Sequence, residues 1–409
     1  MQTNPLQVTL DDPTTIVADF SVFLNYLKQQ PVKLTKTKQQ LGRKDLRALY
    51  ELLPNLGLEV GEKSTQSYYP VINLFVELAL KLELINQTYK GSTCAFVVAD
   101  EQLQVFEKLT ATEQYATLLK CFWLEADWET LQGALYASPP LNIAALFDHL
   151  TRLPVNEKIL LHKDQHMAHL LASYGHFLLY FQYFGFWDVK LNSELEPKTK
   201  VQATTIVVKP FLKPLIPILR SSFDNQMSVH SFDFLSLFAS HLAEGDQSFT
   251  SEAEFVAALK PLFAEGQLDK VLEKKEPVML KGEYLFKVAL SGSCWRTIAL
   301  QDSHTLLELH KWIQEAFDFS DDHLYAFYMD NQPFSSNCFN SPYDDEGPFV
   351  NEVTIGELYL REGQQFMYLF DFGDEWTFSV TVQKINEGID AVESGIREKK
   401  GESPEQYGW

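Results

Sequence analysis

The spacing of apolar residues changes once along this chain, and that change sets the fold class. Through most of the first 264 residues the apolar positions recur at intervals of three and four, the period of a helix buried on one face. From Tyr284 onward they alternate: Tyr284, Phe286, Val288 and Leu290 are separated by single residues, as in a half-buried strand. The expectation is an α+β protein, with a mainly helical N-terminal part ahead of an antiparallel sheet backed by helices. At 409 residues the chain is longer than one core serves, roughly 250–300 residues. Four segments are expected: a winged-helix-like domain over 1–140, a second helical region over 141–264, a charged linker over 265–282, and an α+β domain over 283–409.

Local signals support the helical front. Asp12 and Pro13 predict a helix start, Phe20, Phe23, Leu24 and Leu27 share its inner face, and Pro31 ends it. A helix over 43–53 points Leu46, Leu49 and Leu53 inward. A third begins near Pro70 and carries Ile72, Phe75, Leu78, Ala79 and Leu82. Residues 84–100 read as a hairpin turning at Lys90 and Gly91. Two short helices, a long apolar helix and a two-stranded wing form the order of a winged helix-turn-helix. Thr110 and Glu113 predict a capping box. A similar succession follows, with a helical pattern over 157–187 ending in FQYFGFWDV, then ATTIVVKPFLKPLIPIL, and predicts a degenerate repeat. Ser231 caps a predicted helix over 232–243, and Ser251 with Glu254 starts another.

Charge is unevenly placed. The total is -21, and residues 283–409 hold about 8 basic and 23 acidic side chains, a net of about -15. An acidic chain is not steered as a whole toward DNA or anionic membrane. One basic block stands apart: Lys28, Lys33, Lys36, Lys38, Arg43, Lys44 and Arg47 face only Asp45. Lys36, Lys38, Arg43, Lys44 and Arg47 are therefore the candidate phosphate contacts, and DNA is one candidate partner. Against this, the helix from Pro70, the would-be recognition helix, carries Glu77, Glu83 and only Lys81. Cys94, Cys121, Cys294 and Cys338 form no CxxC pair, which fits a reducing cytoplasm. MQTNPLQVTLDDP lacks the basic start and apolar core of a signal peptide. The most apolar stretch, from Phe177 to Trp187, is too short to span a bilayer. The expected location is cytoplasmic, with no membrane partner.

The last domain carries YLFKVAL, SCWRTIAL, HTLLELHKWIQEAF, DDHLYAFYM, YLFDFGDEWTFSV and the tail KGESPEQYGW in order. In these it resembles the plasmid pRiA4b ORF-3-like family. Phe370 stands where that family often has Tyr, and Phe378 where it often has His. The resemblance implies an α+β fold and no established activity. Some relatives are labelled as passengers of plasmids or transposable elements, which implies a mobile-element context.

The DFGDEW turn gathers Asp371, Asp374 and Glu375, and with His323 these carboxylates offer oxygen ligands to a divalent cation. The favoured reading is a hairpin in which Gly373 takes a positive φ, an Asp bonds turn amides, and Phe372 and Trp376 pack. Arg296 is expected to pair with Asp371 or Asp374, and His310 lies on the family helix. Arg296, His310, His323, Asp371, Asp374 and Trp376 are thus the ligand-binding candidates. His162, His166, His169 and His176 fall on one face if 157–187 is a single helix, with His162 and His166 at the spacing of a metal pair. A half-buried polar face is the favoured reading there. The aromatic run 174–187 is expected to be core. No GxSxG, HExxH, P-loop or GxGxxG is present, and no cofactor is expected. The leading expectation is a non-enzymatic binding or adaptor protein with an unidentified protein partner. A DNA-binding regulator using 28–47, and a metal-dependent enzyme using Asp371, Asp374 and His323, are the alternatives.

Overall fold

The computed structural model describes residues 5–29, 31–36, 38–53, 61, 64–90, 93–132, 139–192, 201–222, 251–274, 278–335, 337–389 and 393–407. The helix expected over 232–243 lies outside them, as does Gly91 of the first hairpin turn. The chain divides into two compact units. One comprises Met1–Leu34, Gln40–Asn86 and Phe96–Lys274; the other comprises Thr35–Gln39, Gln87–Ala95 and Lys275–Trp409. The division near 274 falls inside the segment read as a linker.

The chain opens with α1 (Ile16–Lys28), β1 (Val32–Lys33), α2 (Arg43–Leu52), α3 (Pro70–Lys81), β2 (Ile85–Lys90) and β3 (Thr93–Val98), of which Gln87–Ala95 is assigned to the second unit. Then come α4 (Asp100–Glu107), α5 (Ala111–Leu124) and α6 (Trp128–Gln132). The order helix, strand, helix, helix, strand, strand now returns as α7 (Ile143–Arg152), β4 (Lys158–Leu160), α8 (Gln165–Leu170), α9 (Phe177–Tyr183), β5 (Trp187–Leu191) and β6 (Ala203–Val208). The two small sheets have the orders β1-β3-β2 and β4-β6-β5, so the short first strand lies beside the third strand in both. α10 (Glu252–Leu259) follows, and it is capped as its sequence predicts: the Ser251 side chain accepts from Glu254 N.

Burial decides which helices are scaffold. In α3 every residue from Pro70 to Val76 is buried, and in α9 every residue from Phe177 to Phe181. A helix apolar on all sides belongs in a core, not on a surface. α5 is the centre of the unit, buried from Thr112 to Trp123 and started by the expected Thr110–Glu113 capping box. Residues 265–274 are not free chain. Leu268 and Leu272 are buried, Lys270 N donates to Glu113 Oε1, and Leu272 N donates to Thr117 Oγ1. Lys120, with its side chain 4% exposed, lies 3.2 Å from Glu125 and 2.6 Å from Glu252, and Lys274 also pairs with Glu125. That buried network ties α10 and residue 274 to α5.

Two local expectations are corrected. α1 starts at Ile16, not at Pro13, because Thr9 Oγ1 accepts from Asp11 N and Asp12 N and holds 9–12 in a turn. The single helix over 157–187 is instead strand β4, a turn, α8 and α9. Asp164 Oδ1 caps α8 at Met167 N (2.9 Å), and Gly175 at φ +49° separates α8 from α9. His162 therefore precedes the helix, only His166 and His169 lie on α8, and His176 is buried at 2% exposure. The expected i, i+4 pair of His162 and His166 does not exist.

The second unit contains β7 (Gly282–Ala289), β8 (Trp295–Gln301), α11 (Leu306–Phe317), β9 (Tyr325–Tyr328), β10 (Cys338–Asn340), β11 (Gln365–Phe370), β12 (Trp376–Glu387) and β13 (Gly395–Lys400). The strands form one antiparallel sheet in the order β10-β9-β11-β12-β7-β8-β13. Tyr284, Phe286 and Val288 of β7 pack with Leu306, Leu309, Ile313 and Phe317 of α11 and with Phe366 and Tyr368 of β11. The α+β expectation holds. Asp318 ends α11 in a left-handed conformation, and Phe319 N returns to Gln314 O (3.0 Å), which turns the Phe319 ring back against Trp376.

Two measurements test the first unit. Lys120→Met leaves the buried Glu125 with half its compensation and should cost about 3 kcal/mol in urea unfolding. Burial holds His176 down to about 4 from its ordinary 6.5. The unfolded chain takes up this proton first, so the contribution is whole above pH 6.5 and is lost as pH falls toward 4. The loss should reach about 3 kcal/mol at pH 4, and His176→Phe should flatten that part of the stability profile.

Candidate ligand-binding site

Arg296 is the second residue of β8, 3% exposed. Among the described residues no carboxylate meets it. Its Nε donates to Ala316 O (2.8 Å), Nη1 to Trp295 O and Lys400 O (both 2.9 Å), and Nη2 to Ser403 Oγ (2.9 Å). The guanidinium lies over the Phe317 ring, 4.7 Å from its centroid. The expected pair with Asp371 or Asp374 is thus replaced by carbonyls. Ala316 O lies in the last turn of α11, whose dipole places negative potential there.

His310 is fully buried on α11 and stacks flat on Tyr325, with centroids 3.6 Å apart. Gln314 Nε2 donates to Tyr368 Oη (2.8 Å), and Tyr368 Oη lies 2.7 Å from His310 Nδ1. The Tyr368 hydroxyl oxygen accepts from Gln314, and the hydroxyl and His310 Nδ1 share one proton across the second contact. Nε2 lies 3.0 Å from Asp321 Oδ1 but off the line a hydrogen bond needs. Burial outweighs the attraction of Asp321 and holds His310 below its ordinary range.

The DFGDEW turn joins β11 to β12. Its left-handed residues are Asp371 (φ +56°) and Glu375 (φ +52°); the positive φ expected at Gly373 is not there. Aspartate tolerates this conformation because its short side chain bonds nearby amides. Asp371 Oδ1 accepts from Gly373 N (2.9 Å) and Asp374 N (3.3 Å). Trp376 packs into the main core against Phe319, whereas Phe372 lies on the opposite face of the sheet with Ala326, Tyr328 and Leu369.

Beside this turn is a surface cluster. His323 Nε2 lies 3.5 Å from Asp371 Oδ2 and 3.8 Å from Asp322 Oδ1. The chain's tail folds over it: Tyr407 Oη donates to Asp322, 2.6 and 2.7 Å from the two oxygens, and Gln406 bonds Ser320 on both N and O. The hydrogen bond to Asp322 pushes the Tyr407 hydroxyl up to about 12, so it stays a neutral donor. Asp374 and Glu375 are exposed at the tip. The fold thus brings His323, Asp371 and Asp374 to one end of the sheet and separates Arg296, His310 and the Trp376 ring from them as core. Asp321, Asp322 and Tyr407 complete the ends of these networks; they lie inside the DDHLYAFYM and KGESPEQYGW segments but are not among the ligand-binding candidates. Among the described residues no group of three or more His, Cys, Asp or Glu has the arrangement of a metal site. His166 packs instead edge-on against His149, and His149 Nε2 lies 3.4 Å from Asp164. Of the phosphate candidates, Arg43, Lys44 and Arg47 are exposed on α2 in the first unit, while Lys36 and Lys38 are exposed in the second.

Arg296→Lys keeps a charge but not the four-way geometry. It should destabilise the protein by about 3 kcal/mol, since it strands buried carbonyls, and should speed proteolysis after residue 400. Urea unfolding and limited proteolysis measure both.

No helix among the described residues is long and apolar enough to cross a membrane. No curated protein matches the chain. A solved structure titled Protein of Unknown Function MM3350, from Methanosarcina mazei Go1, is 25% identical, covering 31% of this chain and 74% of its own, with a TM-score of 0.27. Residues 283–406, from the start of β7 through the tail that closes over His323, match the family described as Plasmid pRiA4b ORF-3-like protein.

Proposed function

We propose that this is a non-enzymatic binding or adaptor protein in which two winged-helix units form a protein-binding front and the acidic end of the last sheet engages a basic partner. The observation that carries this reading is how the marked polar groups are used. Arg296 spends its donors on carbonyls and Ser403, and Asp371 spends one oxygen on turn amides. What is left facing solvent is surface charge: Asp374, Glu375 and the edge of His323. Such a surface suits the Lys and Arg side chains of a partner.

The repeated element order and matching strand orders support the winged-helix description of the front. Its use differs from a groove reader. A recognition helix must present side chains to base edges, and α3 and α9 are buried along most of their length. The DNA-regulator alternative therefore rests on α2 alone. The metal-enzyme alternative would have to share Asp371 with the hairpin it holds together.

The test is affinity purification of the full chain from its native cells at physiological salt, followed by native mass spectrometry. A partner in fixed ratio is expected, and Asp374→Asn/Glu375→Gln should release it. A protein that remains a clean monomer sinks the reading.

A further inference from the structure

We propose that the exposed face of α2 is the docking surface for an acidic, leucine-bearing segment of a partner protein. This deepens the adaptor reading and rests on it. α2 is anchored by Leu46 and Leu49, both fully buried. Its outer side carries Arg43, Lys44 and Arg47, which with Ala48 and Glu51 line an open depression of about 470 Å³. Leu52, one helical turn beyond Ala48, is 51% exposed. The face therefore sets a cationic half beside a short apolar strip.

The helix itself does not call for these cations. Arg43 and Lys44 occupy the first turn, where the dipole disfavours positive charge. The N-cap, Gly42, supplies no side-chain acceptor. Asp45 is the one acid in that turn, and its Oδ1 accepts from Tyr26 (2.8 Å). Among the described residues neither Arg43 nor Lys44 enters an ion pair or a side-chain hydrogen bond. A local cost with no compensating contact marks a position kept for another purpose.

The occupant is protein and not duplex. Duplex binders of ordinary strength neutralise about 6–10 phosphates. This depression offers three cations beside the Glu51 carboxylate, on a chain of net charge -21. A short acidic segment needs only two or three carboxylates for the arginines and one apolar side chain for Ala48 and Leu52.

The experiment is fluorescence anisotropy on the full chain with two probes, a labelled peptide of Glu-Glu-Leu repeats and a labelled mixed-sequence DNA duplex. The variant is Arg43→Glu/Arg47→Glu. Arg43→Glu moves the first turn toward the dipole's preference, and an unchanged melting curve verifies that the double variant keeps its helix. The peptide should bind at low salt and weaken at least about 10-fold in the variant. An equal affinity for both proteins, or no peptide binding, overturns the proposal. Tighter duplex binding that the variant abolishes overturns it in favour of nucleic acid. Salt-sensitive self-association lost in the variant, without peptide binding, overturns it in favour of a second copy. If the variant still holds the native partner, this inference fails while the adaptor reading stands; if the wild type holds none, the adaptor reading itself fails.

Discussion

A guanidinium buried without a carboxylate sets the geometry of the second unit. A fully desolvated cation is tolerated only where acceptors surround it. Arg296 finds them in three backbone segments: its own strand, the last turn of α11, and the end of β13. The carbonyl end of α11 acts as the counter-charge, and the Phe317 ring lies beneath the cation. Because one planar fork grips both Ala316 and the Lys400–Ser403 stretch, the exit of α11 and the start of the tail are fixed relative to each other. The loop after Asp318 and the tail before Tyr407 then meet, and Asp322 comes within 2.6 Å of the Tyr407 hydroxyl. The surface cluster around His323 is a downstream result of a buried strand residue.

In the first unit the equivalent constraint is the twelve-residue run of buried side chains on α5. Two repeats of six elements each present apolar helices, and α3 and α9 have no solvent face to spare. They share one core: Phe75 of α3 meets Tyr183 of α9 edge-on, and Phe122 of α5 meets Phe177, Tyr180, Phe181 and Phe184. The ends of the elements are then closed by side chains. Lys213 Nζ donates to the carbonyls of Leu150, Thr151 and Leu153, the last acceptors of α7. Among the described helices of this unit α2 has the most charged side chains: Arg43, Lys44, Asp45, Arg47 and Glu51.

The parts legible in the sequence are those whose period or cap is local. The alternation at 284–290, the face of α11, the Thr110 capping box and the tight turn after Phe370 follow from residues a few positions apart. What stays hidden depends on distant partners. β13 reads GIREKK and β10 is three residues long, so neither has an alternating pattern; both exist because neighbours β8 and β9 offer edges. The histidine series has helical spacing, but Asp164 and Gly175 reset the chain between its members. Gly373 draws the positive φ by its identity, whereas Asp371 holds it by bonding two amides. Charge alone gives Arg296 a carboxylate partner, and the backbone that serves it cannot be read from composition.

The same hairpin separates carboxylates that build from carboxylates that remain available. Asp371 gives Oδ1 to the turn and turns Oδ2 toward His323, and Asp322 gives both oxygens to Tyr407. Each of these is held by contacts that an incoming cation would have to break. Asp374 and Glu375 form no ion pair or side-chain hydrogen bond among the described residues. They project from the tip because the residues on either side of the turn, 371 and 375, are both left-handed and reverse the chain tightly. A basic side chain approaching this end would meet the two free carboxylates first and gain most from them, since the inner pair is already compensated. Recognition at the tip and architecture at the root are therefore assigned to different members of one five-residue turn.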